Sequence, residues 1–166
     1  MTYFANITDL DALRREYRRL SMIHHPDKGG DPEVMKAINN EYEALFNRLK
    51  AEHNARAAAD ETGKTRPIHE TAEQFRTVIE KLIRIPGIVI ELCGSWIWIS
   101  GETRAYKDEI KAAGCYWASK KKMWYWRAPE DACHNNRHAQ TMEHIRTRYG
   151  SERVTSDGRR ADLLHA

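Results

Sequence analysis

The sequence predicts an α+β protein, with an antiparallel helical hairpin at the N-terminus followed by a small αββαββ module built on antiparallel hairpins. Three observations carry this. Apolar residues step three, four, three along residues 10–20 and again along 35–45, the spacing that gathers side chains onto one helical stripe. Residues 88–100 and 115–126 are instead dense in β-branched and aromatic side chains around short polar loops, as strands are. Between these regions lies a polar, alanine-rich stretch broken at Thr62-Gly63-Lys64-Thr65-Arg66-Pro67.

In chain order, Leu10, Leu13, Tyr17 and Leu20 form the first stripe and Met35, Ile38, Tyr42 and Leu45 the second. Two such stripes joined by a short loop bury each other as a hairpin. Thr8 with Asp11 three residues on resembles an acidic capping box, and Asp31-Pro32 supplies an N-cap followed by proline at the first helical position. Pro26 ends the first helix, because it pushes His25 out of the α region and removes a donor. Residues 1–50 are thus read as one domain and 51–71 as a frayed helix extension or linker.

The second module, residues 72–150, opens with Phe75, Val78, Ile79 and Leu82 on one helical face, stopped by Pro86-Gly87. Ile88 to Cys93 and Trp96 to Ser100 flank Gly94-Ser95 as a β-hairpin. Thr103 is expected to cap a helix carrying Tyr106, Ile110 and Ala113, closed by Gly114 in the left-handed conformation. A second hairpin joins Cys115–Trp117 to Met123–Trp126 around Ser119-Lys120-Lys121-Lys122. A last helix spans about Thr141 to Tyr149, and residues 151–166 read as a polar tail.

The 41% hydrophobic and 31% charged content is that of a globular protein, and no apolar run reaches the roughly 20 residues that span a bilayer. Met1 to Asp11 carries no export signal, so the cytoplasm is the expected location. Three widely spaced cysteines do not suggest a disulfide framework. Net charge is only +3, but it is uneven: residues 1–50 carry eight basic and eight acidic side chains, whereas 104–127 carry seven basic and two acidic. The second module is therefore the better candidate for a polyanionic partner.

Between the first two helices stands His24-His25-Pro26-Asp27-Lys28-Gly29-Gly30-Asp31. Alone, a His-Pro-Asp tripeptide is a common turn. Here Leu13-Arg14-Arg15-Glu16-Tyr17-Arg18-Arg19-Leu20 precedes it and Met35-Lys36-Ala37-Ile38-Asn39-Asn40-Glu41-Tyr42 follows. The whole arrangement, over about residues 8–45, resembles helices II and III of the J-domain (DnaJ-like) family. That resemblance implies a co-chaperone whose loop and preceding basic helix dock on a DnaK-type chaperone and stimulate its ATP hydrolysis. By position, the loop is His25, Pro26 and Asp27, and the basic face is Arg14, Arg18 and Arg19, with Arg15 beside them. The chemistry agrees, since a carboxylate suits a charge-assisted bond to a partner's arginine and an arginine field suits an acidic patch. Departures from the family are a first helix reduced to something near Tyr3-Phe4, the absence of a glycine-phenylalanine linker and cysteine-rich zinc region, and a short Lys28–Asp31 loop like that of viral and mobile-element J domains.

Trp96, Trp98, Trp117, Trp124 and Trp126 are every tryptophan in the chain. Alternation places Trp96, Trp98, Trp124 and Trp126 on one sheet face and Ile97, Ile99 and Tyr125 on the other. If the isoleucine face meets the helices, the tryptophan face is left beside Lys107, Lys111, Lys120, Lys121 and Lys122 as a stacking surface for single-stranded nucleic acid or for a client protein. If the tryptophan face is the buried one, that surface is lost. The module resembles small aromatic-rich domains of phage and mobile-element proteins, with which no function can be associated. Cys133, His134 and His138 with Cys93 or Cys115 fit no standard zinc spacing, so neither a metal nor another cofactor is expected.

No glycine-rich phosphate loop, activated nucleophile or paired carboxylates suggest an active site, so the chain is expected to activate a partner ATPase and not to be an enzyme itself. The expected function is a J-domain co-chaperone whose second module directs it to a target. The alternative is a single-stranded nucleic-acid-binding accessory protein of a phage or plasmid system.

Overall fold

The structure, a computed structural model, describes residues 2–128 and 140–155. It is α+β and divides into two compact units, Met1–Arg76 and Thr77–Ala166.

In the first unit, α1 (Leu10–His24) and α2 (Pro32–Ala59) are joined through a short 3-10 turn at Pro26–Lys28. The Asp9 carboxylate caps α1, accepting from the Ala12 N–H at 2.8 Å. The cap is thus Asp9 and not the Thr8 of the expected capping box. Asp31 caps α2 as expected, accepting from the Glu33 N–H at 2.9 Å, with Pro32 at the first helical position. Leu13, Tyr17, Ile38, Tyr42, Phe46 and Phe75 are fully buried. Phe46 takes the core position expected of Leu45, which is half-buried, because four residues on from Tyr42 returns to the same stripe. Tyr42 is the hub of the ring cluster, with centroids 4.2 Å from Tyr17, 5.8 Å from Phe46, 6.3 Å from Phe75 and 6.2 Å from Phe4. Each such ring removes enough apolar surface from water to stabilise the fold by roughly 1.5–3 kcal/mol.

Among the described residues no helix precedes α1, yet the segment around Tyr3 and Phe4 is fixed. The Glu41 carboxylate accepts from the N–H groups of Tyr3 and Phe4, both at 3.0 Å, and so seats Phe4 against Tyr42. Residues 51–71 are more ordered than a frayed end. α2 continues to Ala59, and the segment after it runs back along the helix on side-chain tethers. Asn54 both donates to the Ile68 carbonyl (2.9 Å) and accepts from its N–H (2.7 Å), while Lys50 Nζ donates to the carbonyls of His69 and Glu70. The Asp60 carboxylate starts this return by accepting from Thr62 and Thr65, and those bonds, the Thr62 hydroxyl foremost, hold its pKa below the ordinary value.

α3 (Ala72–Ile83) belongs to both units, divided between Arg76 and Thr77. Its start is a capping box: Thr71 Oγ1 accepts from the Gln74 N–H at 3.3 Å and the Gln74 side chain accepts from the Thr71 N–H at 2.9 Å. The second unit then contains β1 (Ile88–Cys93), β2 (Trp96–Gly101), α4 (Lys107–Ala112), β3 (Tyr116–Ala118), β4 (Met123–Trp126), α5 (Met142–Tyr149) and β5 (Glu152–Thr155). α4 is shorter than the helix expected from Thr103. Glu152–Thr155, expected within a polar tail, is a fifth strand.

Among the described residues five strands form one sheet in the order β3-β4-β2-β1-β5, every pairing antiparallel. Gly94, at φ 61°, makes the two-residue turn between β1 and β2 that the right-handed strand twist favours. One sheet face carries Ile88, Ile90, Ile97 and Ile99, all fully buried, and with Ile79, Leu82 and Ile110 they are the apolar core of this unit.

Candidate functional site

The loop between α1 and α2 is shaped by proline and two glycines. Pro26 forces His25 into an extended conformation (φ −65°, ψ 133°), and the His25 carbonyl accepts from the N–H groups of Lys28 and Gly30. Gly29 takes the left-handed conformation, φ 83°. Gly30 packs so tightly that an added Cβ would lie 2.0 Å from the His24 carbonyl oxygen, so no other residue fits without moving the helix end. The His25 ring is buried, and its Nδ1 accepts from the Asp27 N–H at 3.2 Å. In the neutral ring the proton therefore sits on Nε2. The Asp27 side chain is 52% exposed, with Oδ2 3.8 Å from His25 Nδ1. Of the expected triad, then, the imidazole braces the corner from inside while Pro26 and the carboxylate face outward.

The basic face expected on α1 is divided. Contrary to the expected surface position, Arg14 and Arg18 are core residues, at 2% and 0% exposure. Arg19 is exposed, where it pairs with Glu16 one turn back, and Arg15 is half-exposed. Arg14 is drawn inside by two carboxylates: Nη2 donates to Glu70 at 2.6 Å and Nη1 to Asp11 at 2.8 Å. Burial alone would disfavour its charge, but the buried Glu70 carboxylate beside it holds the guanidinium above its ordinary pKa. The guanidinium also lies 5.7 Å from the Phe46 ring centroid. Glu70 was absent from the expected site residues because nothing local marks a carboxylate 56 positions away as an arginine's partner.

The tryptophans of the sheet are divided too, a second correction. Directly opposed residues of an antiparallel pair share a face, and the register sets Trp98 against Tyr125, Ile97 against Trp126 and Ile99 against Trp124. Trp124 and Trp126 therefore join the isoleucine face, where Trp126 is buried and Trp124 half-buried beside the exposed Trp117. Trp96 and Trp98 lie on the opposite face with Tyr125 and Tyr116. These four rings form a continuous series across β2, β4 and β3: Trp96–Trp98 at 5.9 Å, Trp96–Tyr125 at 5.6 Å, Trp98–Tyr125 at 5.5 Å and Tyr116–Tyr125 at 5.8 Å. Arg127 lies over Trp96 and Tyr125 and Lys121 over Trp98, each 5.5–5.9 Å from the ring centroids. Lys107 and Lys111 are exposed on α4 and Lys120 and Lys122 in the β3–β4 loop, none of them over these rings.

The same face holds a buried carboxylate. Glu91 accepts from Arg146 Nε and Nη2 at 2.6 and 2.9 Å and from the Ser151 hydroxyl at 2.6 Å, with Arg153 Nε 3.8 Å away. Burial would raise its pKa, but these bonds outweigh it and hold the carboxyl below its ordinary value. Cys93 and Cys115 are buried, and burial pushes both thiols up to about 12, so neither is poised as a nucleophile at neutral pH. Cys133, His134 and His138 lie outside the described residues.

An antiparallel helical hairpin that projects a braced His-Pro-Asp corner defines the first unit as J-domain-like. Sequence comparison bears this out. Over 35 residues the chain is 49% identical to chaperone protein dnaJ A6 of Oryza sativa subsp. japonica, which is 21% of this chain and 8% of that protein. It is 45% identical over 42 residues to a DnaJ protein homolog of Cucumis sativus (25% and 10% of the two chains) and 48% identical over 40 residues to DnaJ protein homolog 2 of Allium porrum (24% and 10%). A segment of the chain is thus similar to DnaJ proteins, while the chain spans only about a tenth of the length of those relatives. No family model and no solved structure matches it.

Proposed function

We propose that the chain is a J-domain co-chaperone: its first unit docks on a DnaK-type chaperone in the cytoplasm and stimulates ATP hydrolysis there, and its second unit directs that chaperone to a target. The observation that carries the reading is the outward Asp27 carboxylate, set on a corner whose backbone is held by Pro26, by His25 Nδ1 and by the tight packing of Gly30. A carboxylate presented from a braced backbone loses less entropy when it pairs with a partner's arginine than one on a mobile loop. Of the α1 arginines, those that reach solvent are Arg15 and Arg19, the latter paired with Glu16, since Arg14 and Arg18 are enclosed. The ATP chemistry belongs to the partner, and this chain acts as its activator.

The test is single-turnover ATP hydrolysis by a bacterial DnaK-type protein. The wild-type chain is expected to accelerate it. Asp27→Asn removes the charge of an exposed residue and is expected to cut the acceleration at least about tenfold, the cost of truncating one side of an interfacial ion pair, with the melting curve unchanged. His25→Gln is expected to act similarly by releasing the corner. Undiminished acceleration by Asp27→Asn would overturn the loop mechanism.

A further inference from the structure

We infer that the ring series Trp96–Tyr125–Tyr116 of the second unit, with Arg127 and Lys121, is a binding surface for single-stranded nucleic acid. This deepens the targeting role proposed for that unit and is independent of the chaperone contact. Exposure grades across the series. Trp98 is 3% exposed and serves as its foundation, Trp96 and Tyr125 are half-buried, and Tyr116 on the edge strand β3 is 58% exposed. A large ring standing this open at a sheet edge offers a π-face to an unpaired base, and stacking of that kind is indifferent to sequence.

The electrostatics select the occupant. No acidic side chain occurs in sequence between Glu109 and Glu130, and the two cations that lie over the rings, Lys121 and Arg127, belong to this stretch. Stacking on a ring uses none of a guanidinium's five N–H donors, so Arg127 can rest on Trp96 and Tyr125 and still present them to a phosphate. Among the described residues neither Arg127 nor Lys121 is in an ion pair. Among the described strand residues of this face the one carboxylate, Glu91, is 1% exposed and already engaged by Arg146, Ser151 and Arg153, so it does not repel a polyanion. An apolar peptide would gain from the rings but nothing from the cations, and duplex DNA would keep its bases stacked away from Tyr116. The combination therefore favours an unpaired strand.

The experiment is fluorescence anisotropy of a labelled fifteen-nucleotide oligo(dT), and of a blunt duplex of equal length, with the full chain and no chaperone. Binding to oligo(dT) is expected, weakening about 20-fold when salt rises from 50 to 200 mM if three phosphates are neutralised. The duplex is expected to bind more weakly. Tyr116→Ala, an exposed site whose loss does not open a core, should weaken oligo(dT) binding about tenfold, while Tyr116→Phe retains it. Arg127→Ala should reduce the salt slope by about 0.7, a readout that a merely structural residue would not move. Asp27→Asn should change nothing, which separates a failure here from a failure of the co-chaperone reading. Absence of salt-sensitive binding, equal affinity for the duplex, or full binding by Tyr116→Ala would overturn the inference.

Discussion

Helix α1 and the β2–β4 strand pair each carry a run of one residue type, and in both the run is divided between interior and surface, by different means. On α1 the divider is a distant partner. Arg14 enters the interior because Glu70, brought back along α2 by the Asn54 and Lys50 tethers, meets it there, while Arg19 one turn on stays in solvent with Glu16. In the sheet the divider is register. Trp98 opposite Tyr125 puts Trp96 and Trp98 on one face and leaves Trp124 and Trp126 on the other, whereas a shift by one residue would have gathered all four together. Residue type announces a chemical capacity, and the nonlocal fold decides which copies of it face outward.

The widest separation is expected between two tryptophans. Trp126→Ala removes a buried ring from the isoleucine face and should destabilise the chain by roughly 3–5 kcal/mol. Trp96→Ala takes away a half-buried ring and should cost about 1 kcal/mol. Urea denaturation followed by far-UV circular dichroism measures both, and equal losses would mean that the register is wrong.

The buried ion pair comes next. Glu70→Ala strands the Arg14 charge with only the half-exposed Asp11 for company, and breaking such a pair from one side should cost about 3 kcal/mol. The double change Arg14→Met with Glu70→Leu should recover most of that, because it removes both desolvated charges at similar volume. The same denaturation measurement decides it. A double variant no better than Glu70→Ala would show that specific hydrogen bonding, and not a stranded charge, sets the loss.

Glu91→Gln should have a smaller effect, about 1–2 kcal/mol, since Arg146 is one-third exposed and its charge can rehydrate. Its signature is pH dependence. The folded carboxyl is held below its ordinary pKa, so its contribution is fully present above the unfolded value, near pH 4–5, and is lost as pH falls through the folded one. Stability measured from pH 7 to pH 3 should fall less steeply in the Gln variant. Parallel curves would assign the acid limb to other carboxylates.

The parts of this architecture that depend on neighbours in sequence were readable in advance. The α1 and α2 stripes, the Asp31-Pro32 start, the Gly94-Ser95 turn and the left-handed Gly114 each follow from local geometry. The Thr71–Gln74 capping box is equally local, a Thr-x-x-Gln pattern. Strand β5 was hidden because Glu-Arg-Val-Thr carries one apolar residue and becomes a strand only through pairing with β1. In the loop, spacing identified His25, Pro26 and Asp27, but which of the three faces outward depended on how closely Gly30 approaches the end of α1.

Arg19→Ala should have the smallest effect on stability, under about 0.5 kcal/mol, because its pair with Glu16 is exposed and screened. It should nevertheless weaken docking on a DnaK-type chaperone severalfold, mostly through a slower association that depends on ionic strength. Arg14→Ala, on the buried face of the same helix, should do the reverse, destabilising the unit while leaving the association rate of the folded fraction unchanged. Stopped-flow association at two salt concentrations, paired with melting curves, separates the two. If Arg19→Ala associates as fast as wild type at low salt, the exposed end of α1 contributes no steering, and any docking must rest on the Asp27 corner alone.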